Sequence, residues 1–288
     1  MKRILLFLSV LVTGCSIADL PVEVEPAASE LVVSSIRVGD VAMLVTVSRS
    51  FSALSATSVD SLEADLINTL LVADALVTVS HPMGTDTLFQ VPDTPGVYTL
   101  IAPDNLQPYD LLTLSVVDFS SGQSIEAVTE WLPVATLDTV SLTEESDGDS
   151  TAFSLSYAFE DLPGDNYYAL YGYKIAEGDS VDIEDPENPL ASLNTNELIF
   201  YRALLTDQAV DGAMLSGSEL IFDDALASAD VFLTLAHISE GYFRFLDARQ
   251  RTGGLISSLV NEPVNHPTNV RDGLGYFSAH LPTIFEVE

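Results

Sequence analysis

A succession of short strand-like segments, separated by turn residues, is the feature that most constrains this fold. The segments are rich in valine, leucine, isoleucine and threonine, and no regular helices separate them. They cover residues 30–38, 41–48, 75–80, 86–90, 97–101, 111–119, 124–131, 137–142, 151–159, 167–175, 199–204, 231–236 and 275–279. Because parallel strands need long crossover connections, which are usually helices, this order favours antiparallel sheets packed as a sandwich.

The chain of 288 residues divides into four predicted parts. Residues 1–14 are a signal peptide, and residues 15–29, with two prolines and no amphipathic period, are an extended tether. Residues 30–134 are expected to form an immunoglobulin- or transthyretin-like antiparallel β-sandwich. Residues 135–288 are expected to form a second β-rich domain with one or two short helices. We therefore predict a mainly β protein.

One helix is predicted clearly, over residues 239–251. Ser239 can cap its amino end, and aromatic residues from Tyr242 onward supply an apolar face. Arginines in the last turn suit the negative end of the helix dipole, and Gly253 follows as a stop. Leucines at helical spacing in residues 58–73 favour a short helix or a collapsed insertion there.

The first fifteen residues are typical of a bacterial lipoprotein signal. Lys2 and Arg3 are followed by an apolar run over residues 4–12 and by small residues before Cys15, the single cysteine of the chain. The run is too short to span a bilayer as a helix. A lipid on Cys15 would anchor the mature protein and exclude disulfides and thiolate chemistry. Ser16 favours an outer-membrane destination, and the alternative is a plain secretory signal in which Cys15 is incidental.

The charge of the chain excludes some partners. Forty-three acidic and ten basic residues give a formal net charge of −33. Nucleic acid is not expected as a partner, because phosphate binding requires clustered lysine and arginine. Self-repulsion of this size is relieved by salt, which favours a halophilic or marine source. A calcium-rich acidic surface is the alternative explanation.

Two acidic loops are weak calcium candidates. Asp147 and Asp149 flank a glycine, and Asp182 and Asp185 lie in a proline-bearing acidic run. Calcium prefers such oxygen ligands, yet neither spacing matches an EF-hand. In so acidic a chain, two such clusters arise easily by chance, and solvated negative loops are the favoured explanation. No metal site and no cofactor are therefore predicted, and calcium is the alternative that stays open.

Catalytic motifs are not found in the sequence. It has no Gly-x-Ser-x-Gly elbow, and its four histidines are isolated from one another. His237 ends an apolar strand, where packing or capping is the ordinary role. A zinc site built from distant histidines and carboxylates stays open. We therefore expect a protein that is not an enzyme.

A tyrosine-rich strand offers a possible binding surface. Strand alternation places Tyr167, Tyr171 and Tyr173 on one face and Tyr168 on the other. If exposed, the three tyrosines would suit a sugar or a peptide, because each ring combines apolar area with a hydroxyl. The alternative is that they pack between the sheet and a helix.

Several segments, taken in order, resemble one family. They include Leu31–Val33, Val45–Ser50, Asp74–Val79, Pro95–Tyr98, Phe119–Thr129, Asp161–Tyr168, Glu262–Val264 and Thr268–Phe277. This order is similar to that of the bacterial lipoproteins called domain of unknown function 4249, which are common in the Bacteroidetes. In the last segment, Asp272-Gly273 is expected to form a tight turn, with Arg271 holding an acidic neighbour. The insertion at residues 52–71 departs from the family pattern.

The resemblance implies a lipid-anchored outer-membrane protein that faces the cell surface or the periplasm. It also implies a non-enzymatic accessory or ligand-binding partner of a TonB-dependent receptor in nutrient uptake. The alternative function is a structural or adhesive surface module stabilised by salt or calcium, and a hydrolase comes third. The family supplies no catalytic residues.

Overall fold

The computed structural model describes residues 28–38, 42–50, 70–101, 106–146, 151–176, 199–207, 212–252 and 266–287. Within these residues the chain forms seventeen β-strands, the α-helix α1 at Glu240–Thr252 and a 3₁₀ helix at Asp224–Ser228. The prediction of a mainly β protein is therefore confirmed. None of the helices in this described part combines the length and the apolar character needed to span a bilayer.

The strands fall into an early and a late group. The early strands are β1 Leu31–Val38, β2 Ala42–Arg49, β3 Ala75–His81, β4 Gly84–Thr87, β5 Phe89–Gln90, β6 Val97–Ile101, β7 Leu111–Asp118 and β8 Ser124–Glu130. The late strands are β9 Thr139–Ser146, β10 Thr151–Glu160, β11 Tyr167–Ala176, β12 Ile199–Thr206, β13 Met214–Ile221, β14 Ala229–Ile238, β15 Val270–Arg271, β16 Leu274–Tyr276 and β17 Thr283–Val287.

The first sandwich consists of two five-stranded sheets, ordered β16-β1-β2-β6-β5 and β15-β8-β7-β3-β4. Alternate residues of β2 and β7 are buried, as period-two patterning requires. Side chains from both sheets meet in one core, among them Val45, Val77, Leu114 and Phe277. Face-to-face burial of this kind is what holds a sandwich together.

The segment from Thr268 to Ser278 returns from the end of the chain to close the first sandwich. Val270 of β15 pairs with Ala127 of β8, while Leu274 of β16 lies parallel to β1, opposite Val32. Ser278 donates its backbone N–H to the Ser35 hydroxyl at 2.7 Å. This segment, the C-terminal arch, therefore adds one strand to each sheet. The predicted second domain, 135–288, thus supplies strands to the first.

The turn of the arch follows the predicted tight turn. Asp272 has a φ of +61°, and Arg271 forms an ion pair with Glu126, as predicted. Gly273 is constrained by space, since a Cβ there would lie 2.7 Å from the Ile125 side chain. Gly275 has a φ of +95°, and its Cβ would overlap the Val33 carbonyl oxygen. Glycine is therefore required twice in this short segment.

The second sandwich packs the three-stranded sheet β13-β10-β9 against the four-stranded sheet β12-β11-β14-β17. Its core holds aromatic and aliphatic side chains from both sheets, including Phe159, Tyr168, Leu170, Leu233 and Leu235. The long antiparallel pair β11 and β14 runs from Tyr167↔Ile238 to Ala176↔Ala229. This pair forms the centre of the sheet that carries the tyrosine-rich strand.

Helix α1 confirms the predicted helix to within one residue. The Ser239 hydroxyl accepts a hydrogen bond from the Tyr242 N–H at 3.2 Å, which caps the first turn. Tyr242, Phe243 and Leu246 pack on Ala236 and other residues of the outer face of the β11–β14 sheet. The helix thus covers part of that sheet face.

Three strands escaped sequence prediction, namely β13, β15 and β17. Strand β13 carries two serines and a glycine, so its apolar alternation is weak. The signal peptide, the tether except Ala28 and Ser29, and nearly all of the insertion at 52–71 lie outside the described residues.

Candidate functional site

The three tyrosines singled out from the sequence do share one face of β11. Tyr168 points to the opposite side, where its side chain is fully buried in the second core. Tyr167, Tyr171 and Tyr173 are each half-buried on the outer face. The predicted alternation along β11 is therefore confirmed, and Tyr167 and Tyr171 pack between the sheet and the helix.

Tyr167 packs between sheet and helix. Its ring lies 5.1 Å from that of Phe243 on α1, centroid to centroid. It belongs to a small apolar cluster with Ala169, Ala236 and Ile238. The helix covers this end of β11, so Tyr167 has a packing role.

Tyr171 and Tyr173 lie further along the same face, and Tyr171 also packs against the cluster of Ala169, Ala236 and Ile238. Their ring centroids are 6.3 Å apart, with an angle of 42° between the ring planes. Arg202 of the edge strand β12 lies directly opposite Tyr171 in the sheet register. Arg249 in the last turns of α1 is also exposed and acts electrostatically on the Tyr171 hydroxyl. We call Tyr171, Tyr173, Arg202 and Arg249 the tyrosine shelf.

Both shelf hydroxyls are held in the protonated form. Burial raises the pKa of Tyr171, and the neighbouring Tyr173 raises it further, against the opposing charges of Arg202 and Arg249. Burial also raises the pKa of Tyr173, while a hydrogen bond with the Thr234 side chain lowers it. Because an unperturbed tyrosine titrates near pH 10, both groups are neutral at physiological pH. The positive charge of the shelf therefore comes from the arginines alone.

The arginines were missed by sequence reasoning. Arg202 and Arg249 are 47 residues apart and come from a strand and a helix, so no local motif joins them. The sequence offered one signal, the scarcity of basic residues: only eight follow Cys15, so each of them is worth locating. Five of those eight form ion pairs with carboxylates, namely Arg49, Lys174, Arg244, Arg251 and Arg271, and the other three also have interaction partners.

A second aromatic cluster joins α1 to the C-terminal arch. Tyr242 contacts Tyr276 at 5.1 Å and His280 at 5.2 Å, while Phe245 contacts Tyr276 at 5.5 Å, all centroid to centroid. Burial strongly raises the pKa of Tyr242, which keeps the hydroxyl neutral. These contacts tie the helix on the second sandwich to the closing strand of the first.

One serine–histidine pair lies next to this cluster. The Ser278 hydroxyl and His280 Nδ1 are 2.7 Å apart. Ser278 is only 4% exposed, and burial together with the nearby Arg37 lowers the pKa of His280 to about 4. A histidine of this kind is a weak base near neutral pH, and the hydroxyl is shielded from substrate. The pair therefore has the features of a structural contact.

The other histidines also have structural neighbours. His81 Nε2 lies 2.9 Å from an Asp86 oxygen, His237 Nδ1 lies 3.1 Å from the Pro133 carbonyl oxygen, and His266 packs on Phe245. Burial lowers the pKa of His237, although the Pro133 carbonyl opposes this effect. His237 therefore has the packing role predicted for it.

Buried carboxylates fix the loop before β11. Asp161 accepts hydrogen bonds from the Tyr168 hydroxyl at 2.6 Å and from the Gly212 N–H at 2.9 Å. Asp207 accepts the backbone N–H of Asn166 at 2.9 Å. The Tyr168 hydroxyl reaches back to the chain just before its own strand, as in the tyrosine corner of immunoglobulin-like sandwiches. This network orients β11 and hence the shelf.

The described residues contain no cluster of three or more histidine, cysteine or acidic side chains that could hold a metal ion. The calcium candidates Asp147, Asp149, Asp182 and Asp185 lie outside those residues, as does the lipidation candidate Cys15. Of the predicted site residues, the structure brings the rings of Tyr171 and Tyr173 together, and it packs Tyr167 and Tyr171 against one cluster beside α1.

Comparison with known proteins identifies one family. A sequence model described as "Domain of unknown function (DUF4249)" matches residues 17–283. No curated protein matches the chain. Among solved structures, a DUF3823 family protein from Parabacteroides merdae is similar over 58% of this chain and 82% of its own, with 12% identity and a TM-score of 0.22.

Proposed function

The chain belongs to the DUF4249 family, and for this member we propose a non-enzymatic lipoprotein anchored in the outer membrane. In this proposal it binds a ligand on the tyrosine shelf and serves as the accessory partner of a TonB-dependent receptor in nutrient uptake. The observation that carries the binding function is the shelf itself. Two half-buried tyrosines and two exposed arginines lie there, on a chain of net charge −33.

The contrast with the other polar clusters among the described residues supports a binding role over a catalytic one. The serine–histidine pair and the carboxylates Asp161 and Asp207 are buried and engaged in contacts that fix the fold. By contrast, the shelf combines ring faces with donors in a fixed arrangement, which is typical of recognition surfaces.

The membrane part of the proposal is supported by the residues before Cys15. An exported protein with acyl chains on its first residue stays in the membrane, because each buried CH₂ contributes about 0.8 kcal/mol to membrane binding. A tethered binder works at high effective concentration with a partner in the same membrane. This favours an integral membrane receptor as that partner.

Purification of the tagged full-length lipoprotein from detergent-solubilised outer membranes tests this function. We expect a TonB-dependent receptor to co-purify in near-stoichiometric amount. The Cys15→Ser variant should leave the membrane fraction, because its lipid attachment site is lost. If no receptor is recovered with the membrane-bound wild type, the receptor partnership is wrong.

A further inference from the structure

The outer face of the sheet β16-β1-β2-β6-β5 carries exposed apolar side chains. Positions that alternate with the buried core residues point outward on this face. One register row crosses four strands and consists of Ile36, Leu44, Thr99 and Phe89. Ile36 is 58% exposed, Phe89 is 72% exposed, and Ile101, further along β6 on the same face, is 80% exposed. The apolar surface therefore extends across the sheet.

This face also lacks charge, unlike the other outward sheet faces. Among the described outward positions of β1, β2, β5, β6 and β16, none is acidic or basic. The other sheet of the same sandwich carries Glu126 and Arg271 outward, and the two sheets of the second sandwich carry Glu160 and Glu286. On a chain of net charge −33, an uncharged apolar face of this kind is typical of a contact surface.

The chain enters this sheet directly from the predicted tether. Residues 16–30 separate Cys15 from Leu31, the first residue of β1. A chain spans at most about 3.3–3.6 Å per residue, so this connection reaches about 50 Å when fully extended. The Ser29 hydroxyl donates to the Ser50 carbonyl oxygen at 2.7 Å, and the Glu30 N–H donates to the Ser50 hydroxyl at 2.9 Å. The entry point of the tether is therefore fixed beside β1 and β2.

We propose that the outer face of the sheet β16-β1-β2-β6-β5 lies against the lipid surface of the membrane that holds the anchor. This inference rests on the proposed lipid anchor and adds a contact of the folded body. In it, Ile36, Phe89 and Ile101 enter the boundary between head groups and acyl chains. Strands β1, β2 and β6 are paired on both sides, so the contact leaves none of their ladder groups without a partner.

A second copy of the chain is the less suitable occupant of this face. Two copies that met there would bring two net charges of −33 close together, and repulsion opposes that association at low ionic strength. A neutral lipid surface carries no such charge. The tether also keeps the lipid surface at a high effective concentration, so the membrane is the favoured occupant.

Quenching of a fluorophore by a labelled lipid tests the contact. The full-length lipoprotein is reconstituted in phosphatidylcholine vesicles, and flotation measures its binding. Because acylation occupies Cys15, the single cysteine, Ile101→Cys can be labelled alone with the fluorophore NBD. Phosphatidylcholine with a spin label close to its head group is the quencher. We expect the label at position 101 to lose about half of its fluorescence or more, since interfacial side chains lie about 5–10 Å deep.

Val128→Cys is the matched control. Val128 is 43% exposed and lies on the outer face of the other sheet, so its label should keep its fluorescence. In the labelled Ile101→Cys protein, Ile36→Asp should abolish quenching because it places a charge at the lipid boundary, whereas Val128→Asp should leave quenching unchanged. Fluorescence of Trp131, measured before labelling, checks that each variant is folded.

Three results would overturn the lipid contact. They are equal quenching at both positions, no quenching at position 101, and disulfide-linked dimers of Ile101→Cys without quenching by lipid. If Ile36→Asp did not fold, the comparison of the two labels would still decide. Flotation is a separate readout: a protein that did not float would refute the anchor together with the contact, whereas flotation without quenching would refute the contact alone.

Discussion

The Gly275→Ala substitution probes the C-terminal arch that closes the first sandwich. Gly275 has a φ of +95°, which costs a residue with a Cβ about 1–2 kcal/mol. The added methyl group would also overlap the Val33 carbonyl oxygen, and overpacking of this kind costs about 1–3 kcal/mol. We therefore expect a loss of about 3 kcal/mol or more in the free energy of unfolding, a large part of the roughly 5–15 kcal/mol available to a domain.

Gly122→Ala is the matched control for this prediction. Gly122 lies in the turn between β7 and β8 of the same sandwich and has a φ of +74°, but a Cβ there meets no atom within 4 Å. It should therefore lose only the backbone contribution, about 1–2 kcal/mol. The difference between the two variants isolates the contact of the arch with β1.

Chemical denaturation followed by Trp131 fluorescence measures both variants. Trp131 is the single tryptophan and packs against the first core, where the Arg37 guanidinium lies 4.6 Å above its ring. Its signal therefore reports the sandwich that the arch closes. If Gly275→Ala were no less stable than Gly122→Ala, the arch would not be an integral part of the first sandwich.

Three further substitutions test other contacts by chemical denaturation, with Asp118→Asn followed by Trp131 fluorescence and the two variants of the second sandwich followed by circular dichroism. Asp118→Asn should lower the free energy of unfolding by about 2 kcal/mol at pH 7. Burial would raise the pKa of Asp118, but hydrogen bonds from Ser121, Arg49 and Ser120 outweigh burial and hold that pKa well below its ordinary value. The charged carboxylate therefore stabilises the fold, and the substitution removes it. The wild type should lose this stabilisation as the pH falls below about 4, because the carboxyl of the unfolded chain binds its proton there. If the free energy of unfolding fell with pH in the same way in the wild type and in Asp118→Asn, this explanation would be wrong. Ser239→Ala should lower the free energy of unfolding by about 1 kcal/mol, because the helix loses its cap. Circular dichroism measures the helicity and the stability, and a variant unchanged in both would contradict the capping role. Tyr168→Phe should cost about 2–3 kcal/mol, because it removes one donor to a buried carboxylate, and an unchanged midpoint would refute that network.

Most strands could be predicted from the sequence because their signal is local. Period-two alternation in residues such as 42–49 and 111–118 is visible without knowledge of the partner strand. Helix α1 was equally visible, since its cap and its apolar face lie close together in the sequence. The arch was not, because pairing of Leu274 with Val32 joins positions more than two hundred residues apart, and no local pattern encodes such a register.

The same distinction applies to the candidate site. The shared face of Tyr171 and Tyr173 follows from alternation along one strand, so the sequence predicted it. The packing of α1 over Tyr167 and the positions of Arg202 and Arg249 near Tyr171 depend on how β12 and α1 pack against β11. These are tertiary contacts, and the sequence alone does not define them.

Photocrosslinking from the shelf in living cells tests the central claim, that this is a tethered protein whose tyrosine shelf contacts its ligand or receptor. Tyr173 is replaced with p-benzoylphenylalanine, which keeps an aromatic side chain, and the same residue is placed at the exposed Thr85 of β4 as the control. After illumination, we predict crosslinks from position 173 to a bound ligand or to a TonB-dependent receptor, and none of these from position 85. Equal yields from both positions, or no crosslink from position 173, would contradict the claim.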